Sequence, residues 1–255
     1  MKRDDRRQRI LDALVRDGAV QLDAMAEEFG VSRMTIHRDL DDLETEGLLR
    51  KIRGGATIEP GSQFESDFRF RHLQGHDLKQ RMARAALSLV EPGMTVMIND
   101  GSTATVLGAM LTEKRPLTVI TNNDAVMEAL KAEPGITIIA LGGRFSTKYN
   151  AWVGRVTEAA LGGLRADIAF VSTPAAGDGH VYHMDDDITR VKRRMLDGAA
   201  RKVLLINHLR FGHTALHVLA PLTEFEAVVT DAAPSDPVST EIEAAGARLI
   251  VAAAD

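Results

Sequence analysis

Residues Val31–Ala56 read VSRMTIHRDLDDLETEGLLRKIRGGA, and this stretch decides how the front of the chain folds. Ser32 is a natural N-cap, because its hydroxyl can take an amide hydrogen that the first helical turn leaves unbonded. Ile36, Leu40 and Leu43 follow at spacings of four and three and fall on one buried stripe, which places Met34, His37 and Arg38 on the opposite side. The charges are ordered along the same helix. Arg33, His37 and Arg38 occupy its first half, while Asp39, Asp41, Asp42, Glu44 and Glu46 crowd the second. A helix that enters the major groove by its N-terminal end needs donors and cations there, and the positive end of its dipole acts in the same sense. After Gly47, LLRKIRGGATI predicts two short strands turning at Gly54–Gly55. Arg50, Lys51 and Arg53 make that hairpin basic, as a wing lying along a phosphate backbone should be.

Two helices are predicted upstream. Residues 4–17 carry Ile10, Leu11, Leu14 and Val15 on one side and Arg6, Arg7, Arg9 and Arg16 mostly elsewhere, and Gly18 stops the helix. The next holds Leu22, Met25, Ala26 and Phe29 and ends at Gly30, whose freedom at positive φ suits a tight turn. Two helices joined by a short Gly-containing turn, with the second outwardly polar, describe a helix-turn-helix. Any one of these charge runs alone would pass for a solvated face. Their order, with the basic hairpin following, predicts a winged helix-turn-helix over residues 1–58 that contacts double-stranded operator DNA. Base edges fall to Arg33, Met34, His37 and Arg38, and phosphates to Ser32, Thr35, Lys51 and Arg53.

The bulk numbers bound the rest. The 255 residues suit one small and one medium domain, and 45% hydrophobic with 26% charged residues is ordinary for a globular protein. A net charge of -5 excludes wholesale coating of nucleic acid but leaves room for a local basic face. With no cysteine, disulfides and thiolate metal sites are excluded. No apolar run is long enough to span a bilayer, and Met1–Arg9 lacks the apolar stretch of a signal peptide, so a cytoplasmic location without membrane contact is expected.

Residues 59–77, EPGSQFESDFRFRHLQGHD, lack a sustained period and include Pro60, Gly61 and Gly75. They predict a linker, bounded at 59–78, whose Phe64, Phe68 and Phe70 pack on a neighbouring domain. From residue 79 to 255, helical and strand patterns alternate. MTVMIN, LTVIT, ITIIAL, DIAFVS, KVLLIN and AVVTD are the strands, and the alternation predicts an α/β, Rossmann-like domain with a mostly parallel sheet covered on both faces. Ligands of such sheets sit beyond the carboxyl ends of the strands. There the chain places Asn99-Asp100-Gly101-Ser102-Thr103, Thr121-Asn122-Asn123, Gly142-Gly143-Arg144 and, from Asn207, His208-Leu209-Arg210. Gly101 permits close backbone approach where a helix starts, so the first of these suits a phosphate. Each cluster alone would serve as a cap or turn; four converging on one sheet edge predict a site for a small phosphorylated sugar or polyol. His180, His183 and Asp185–Asp187 fall in a predicted loop and read as solvated rather than metal-binding, and Trp152 reads as packing.

The stretch Val31–Ala56 resembles the signature of the DeoR family of bacterial regulators, close to V-S-x-x-T-I-R-R-D-L-x-x-L-E-x-x-G-x-L-x-R-x-x-G-G-A. His37 stands where that family usually has arginine. The resemblance extends to the second domain, through the loop at Asn99–Thr103 (usually D-x-G-T-T), TNN, GGR, Lys192-Arg193 and TDAAP at 230–234. It implies a sensor fold like that of sugar-phosphate isomerases, a repressor role without catalysis or cofactor, and places for Arg71 and Lys192 in the effector site. NHLRFG at 207–212 departs from the family's D-H-S-K-F-G, and Ile188 stands where glutamate is frequent. The lost acids imply a different or less hydroxylated ligand and argue against a working isomerase, which needs a base and a proton shuttle. A ligand-free oligomerisation module is the third alternative, disfavoured by the Gly101–Thr103 loop and Arg210. Symmetric operators pair with symmetric proteins, so a homodimer or homotetramer is expected.

Overall fold

A computed structural model describes residues 2–57, 68–73 and 75–253, and the chain divides into two units, Met1–Gly75 and His76–Asp255. The expected linker falls largely outside the described residues: 58–67, with Phe64, and 74 are not among them, nor is the side chain of Phe70.

In the first unit α1 (Arg3–Asp17), α2 (Leu22–Phe29) and α3 (Arg33–Thr45) meet through the stripes the sequence shows. Ile10 and Leu14, Met25 and Ala26, and Ile36, Leu40 and Leu43 share one buried cluster. Full burial of each large aliphatic side chain is worth about 1.5–3 kcal/mol. Gly18 (φ 75°) and Gly30 (φ 63°) close α1 and α2 in the left-handed conformation, and Ser32 caps α3 by accepting the Thr35 amide at 3.1 Å. Between α1 and α2 lies a strand that the sequence reading passed over, β1 (Ala19–Gln21). With β2 (Arg50–Ile52) and β3 (Gly55–Thr57) it makes a sheet in the order β1-β3-β2. The hairpin is offset by one residue from expectation. Ile52 pairs with Gly55, so the turn is Arg53–Gly54 and Gly55 belongs to the strand. Gly55 is required there for space, since a Cβ would stand 1.9 Å from the Val20 carbonyl oxygen. Part of the expected linker is a helix, α4 (Phe68–Leu73), whose Phe68 is buried and stacks on His72 with ring centroids 5.3 Å apart.

The second unit opens with α5 (His76–Leu87) and is built on β4 (Thr95–Ile98), α6 (Ser102–Met110), β5 (Leu117–Thr121), α7 (Asp124–Leu130) and β6 (Ile136–Ala140). A hairpin of β7 (Arg144–Ser146) and β8 (Ala151–Val153) leads to α8 (Arg155–Gly162) and β9 (Ala166–Ser172). Then come β10 (Ala175–Gly177), β11 (His180–His183), α9 (Asp186–Gly198), β12 (Ala199–Leu205), β13 (His217–Pro221), β14 (Ala227–Thr230), α10 (Asp236–Ala244) and β15 (Arg248–Val251). The main sheet runs β15-β14-β12-β9-β4-β5-β6 with every neighbouring pair parallel. All six expected strands are in it, and β15 is an addition. Alternate residues face opposite cores. Val96 and Ile98 join α5, α6 and α7 on one side, while Met97 meets α8 and α9 on the other. Both faces are thus covered, as the strands' nearly continuous apolar runs require. A smaller antiparallel sheet, β10-β11-β13, is an addition as well. It corrects the loop expected around His180–Asp187: His180–His183 is a strand, and Asp185 caps α9 by accepting the Ile188 amide at 3.0 Å.

The strand order fixes where a ligand can enter. From β4 the chain steps outward through β5 and β6, then returns to the other side of β4 at β9 and continues through β12, β14 and β15. The order reverses between β4 and β9. In open α/β sheets the crevice at the carboxyl ends of such a pair is the usual binding place.

Candidate nucleic-acid interface and effector site

On α3 the cationic leading end is outward. Arg33, Met34, His37 and Arg38 are exposed, Met34 to 61%. Arg33 Nε lies 2.7 Å from Asp23 Oδ1, with both side chains more than two-thirds in water. Among the described residues Arg38, on α3, and Arg53, at the hairpin tip, have no ion pair. Ser32 and Thr35 are occupied with each other, their hydroxyls 2.9 Å apart, so part of their hydrogen-bonding capacity serves the cap. Lys51 is engaged too: its ammonium donates to Asp41 and its amide to Glu44 Oε1 at 2.7 Å.

The acidic second half of α3 is bound as well as set back. Arg3 pairs with Asp42, Arg7 with Glu46, and Arg6 meets Asp39 through Nε at 2.5 Å and Nη2 at 3.1 Å. Arg6 and Asp39 are both buried, so Arg6 is the exception among arginines set mostly away from the apolar side: Arg7 is half-buried, and Arg9 and Arg16 are exposed. The signal was a helix of repeated arginines beside a helix of repeated acids. These pairs turn Asp39, Asp42 and Glu46 toward α1, while Asp41 and Glu44 engage Lys51 of the wing.

In the second unit the polar residues gather at the β4/β9 switch point, and they are buried. Asn99 directly follows β4, with Oδ1 accepting the Ser172 amide at 3.0 Å and Nδ2 near Ser172 O (3.4 Å) and Asp100 Oδ1 (3.3 Å). Ser172, the last residue of β9, was not singled out from the sequence; its place at a strand end was the available signal. Lys192 reaches in from α9, donates to Ser172 O at 2.8 Å, and stands 3.6 Å from Asp100 Oδ2. Asp100 and Lys192 are 1% and 2% exposed. Gly101 follows with φ 120°, a conformation open to glycine alone among common residues, and α6 starts at Ser102, with Thr103 next and half-buried.

The other candidates divide between stitching and access. Thr121 Oγ1 donates to Ile98 O at 2.7 Å, tying β5 to β4. Asn122 Nδ2 donates to Trp152 O at 3.1 Å, and its buried Oδ1 has no partner among the described residues. Gly142 O accepts from Thr157 at 2.7 Å, and Gly143 leads into β7, where Arg144 is exposed and paired with Asp187. Beyond β12, Asn207 Nδ2 donates to Asp231 Oδ2 at 3.0 Å, and His208 binds the same carboxylate through its amide (2.7 Å) and Nδ1 (2.8 Å). Arg210 lies half-buried in the turn after it, and Ile188 is wholly buried in the α9 core. Arg71 is on α4, in the first unit. Trp152 is half-buried and donates to Asp124 Oδ1 at 3.2 Å. No group of three His, Asp or Glu able to hold a metal exists among the described residues.

A helix that leads with cations beside a basic wing is a reading head for duplex DNA, and a parallel sheet with a buried polar crevice at its switch point is a small-molecule receptor. Joined in one chain, they define the class of ligand-responsive transcriptional regulators. Residues 6–60 match the DeoR-like helix-turn-helix domain and residues 74–232 the DeoR C terminal sensor domain. The chain belongs to the DeoR family. It is 28% identical over 240 residues to the glycerol-3-phosphate regulon repressor of Escherichia coli (strain K12), covering 94% of either chain. To the lactose phosphotransferase system repressor of Staphylococcus aureus (strain N315) it is 30% identical over 243 residues, 94% of this chain and 96% of that one. Among solved structures, ribose 5-phosphate isomerase A from Methanocaldococcus jannaschii is similar over 54% of this chain and 55% of its own, at 17% identity and a TM-score of 0.39. No helix among the described residues is long and apolar enough to cross a membrane.

Proposed function

We propose that this regulator represses a carbohydrate or polyol catabolic operon from the cytoplasm, as a homodimer or homotetramer, and that a small phosphorylated metabolite sets its affinity for the operator. The observation that carries the reading is the polarity of α3: Asp39, Asp42 and Glu46 are bound by α1 and Asp41 by Lys51 of the wing, while among the described residues Arg38, with Arg53 on the wing, is outward and without an ion pair. Arg33, Met34, His37 and Arg38 contact base edges, and Ser32, Thr35, Lys51 and Arg53 the backbone, Lys51 through the ammonium hydrogens that Asp41 leaves free. The effector's phosphate lies at Gly101–Thr103, where α6 begins, with Arg210 as a two-pronged partner. Asn122 Oδ1, an acceptor in want of a donor, suits a ligand hydroxyl. Asn99, Asp100, Thr121, Gly142, Gly143, Arg144, Lys192 and Asn207 complete the site. The relatives that are named for glycerol 3-phosphate and for a phosphotransferase system support a phosphorylated ligand. Only a ligand that binds two states of the protein unequally can change operator affinity.

Enzymatic turnover is the second reading, favoured by the Asp100–Lys192 pair, a proton donor and acceptor side by side. Against it stand the burial of both groups and the amides at residues 99 and 207. One set of measurements separates the two. Phosphorylated sugars and polyols should raise the melting temperature, and Ser102→Ala with Arg210→Ala should remove the rise. Conversion of any of them by the full chain revives the enzyme, and no shift with any of them removes the sensor assignment.

A further inference from the structure

Arg33, His37 and Asp41 recur every four residues along the exposed side of α3. His37 Nδ1 lies 2.9 Å from Asp41 Oδ2. The other oxygen of Asp41 accepts from Lys51 on β2, and the Lys51 amide is fixed by Glu44 at 2.7 Å, so the wing holds Asp41 in place. Lys51, and after it His37, keep the Asp41 carboxyl below its ordinary value. An ionised carboxylate offers only lone pairs, so the hydrogen in this contact sits on Nδ1, which leaves Nε2 as the ring nitrogen whose lone pair can face the groove. Half of the His37 side chain is in water. Where the related regulators usually carry five guanidinium hydrogens, this chain carries an acceptor.

We infer that Asp41 is a positioning residue for DNA reading, setting His37 to accept a hydrogen bond from an exocyclic amino group in the major groove, with adenine N6 favoured over cytosine N4. The inference rests on the reading of α3 as the groove-entering helix. Arginine at this place pairs with guanine O6 and N7, both acceptors; an acceptor on the protein needs a base that donates, and only adenine and cytosine do so in the major groove. Met34, one turn before His37 and 61% exposed, decides between them. Its apolar end suits the thymine methyl of an A·T pair, and a C·G pair has none.

Selection of binding sites from randomised duplex DNA by the full chain tests this. The wild type should enrich adenine, and secondarily cytosine, at one position of each half-site, and His37→Arg should change that position alone to guanine. Asp41→Ala should lower the preference there about five-fold, the worth of one hydrogen bond. Asp41→Glu should restore it, as a merely structural role would not require. Nitrogen-15 shifts of the His37 ring should place the proton on Nδ1 in the wild type and lose that restriction in Asp41→Ala. Guanine at that position in the wild type, or a site indifferent to His37→Arg, overturns the inference and leaves the regulator reading intact. A chain that enriches no sequence removes both.

Discussion

Charge is balanced in two different ways in this molecule. Along α3 the partners are rim residues: Arg3, Arg33 and Asp23 keep more than half of their side chains in water, and of the arginine–acid pairs there only Arg6–Asp39 is shut away. At the β4/β9 crevice Asp100 and Lys192 face each other at 3.6 Å with almost no exposure. Rim pairs are screened and weak, and they can be given up when a phosphate arrives. A buried pair cannot be separated without leaving one charge in a medium that solvates it poorly. The charges along α3 are therefore held in exchangeable pairs, and those at the β4/β9 switch point in a locked one.

The contrast can be broken at three depths. Lys192→Met leaves Asp100 buried and alone, and urea unfolding should show the second unit destabilised by about 3–5 kcal/mol, with most of the loss recovered when Asp100→Asn is added. An unchanged midpoint would mean that the pair carries no buried charge. At intermediate depth, Glu224 accepts from Arg193 at 2.6 and 3.0 Å and from Lys202 at 3.1 Å, and Arg193 first, then Lys202, hold its carboxyl below the ordinary value. A depressed carboxyl stabilises the fold above its unfolded value and stops doing so as pH falls through the folded one. Glu224→Gln should therefore cost about 1 kcal/mol at neutral pH, a gap that closes as the medium is acidified below about pH 4.3. A gap that widens on acidification would reverse the assignment. At the rim, Asp23→Asn should leave the unfolding midpoint where it is while freeing Arg33. Binding to arbitrary duplex DNA should then grow more salt-dependent, by up to about 0.9 in the log–log slope; an unaltered slope would place Arg33 away from phosphates.

The same contrast explains what could be read from the sequence. The DNA-facing residues sit on one helix, so a single 3.6-residue period separates Ile36, Leu40 and Leu43 from Met34, His37 and Arg38. The Arg6–Asp39 contact joins positions 33 apart and left no local trace. The six strands expected in the main sheet were legible because their runs are apolar nearly throughout. The three-residue strands β1, β7, β8 and β10 were not, since so short a run shows no alternation. In the crevice, residues that directly follow a strand were found by that rule. Ser172 closes β9 from within, and Lys192 arrives from the middle of a helix, where only family likeness marked it. The wing was placed one residue late because Gly54 and Gly55 look alike in sequence while serving different ends, one a turn and the other clearance for Val20.

The parallel order of the main sheet bears on how the protein is made. β4 pairs on one side with β5, some twenty residues later, and on the other with β9, whose Ile168 meets Val96. The centre of the sheet therefore stays open until most of the chain has left the ribosome, whereas α1, α2, α3 and the wing find their partners within the first sixty residues. Contacts close in sequence form fastest, and domains made first fold first. Each new molecule should thus complete its helix-turn-helix unit before its sensor unit, and a prematurely terminated copy would carry the first without the second.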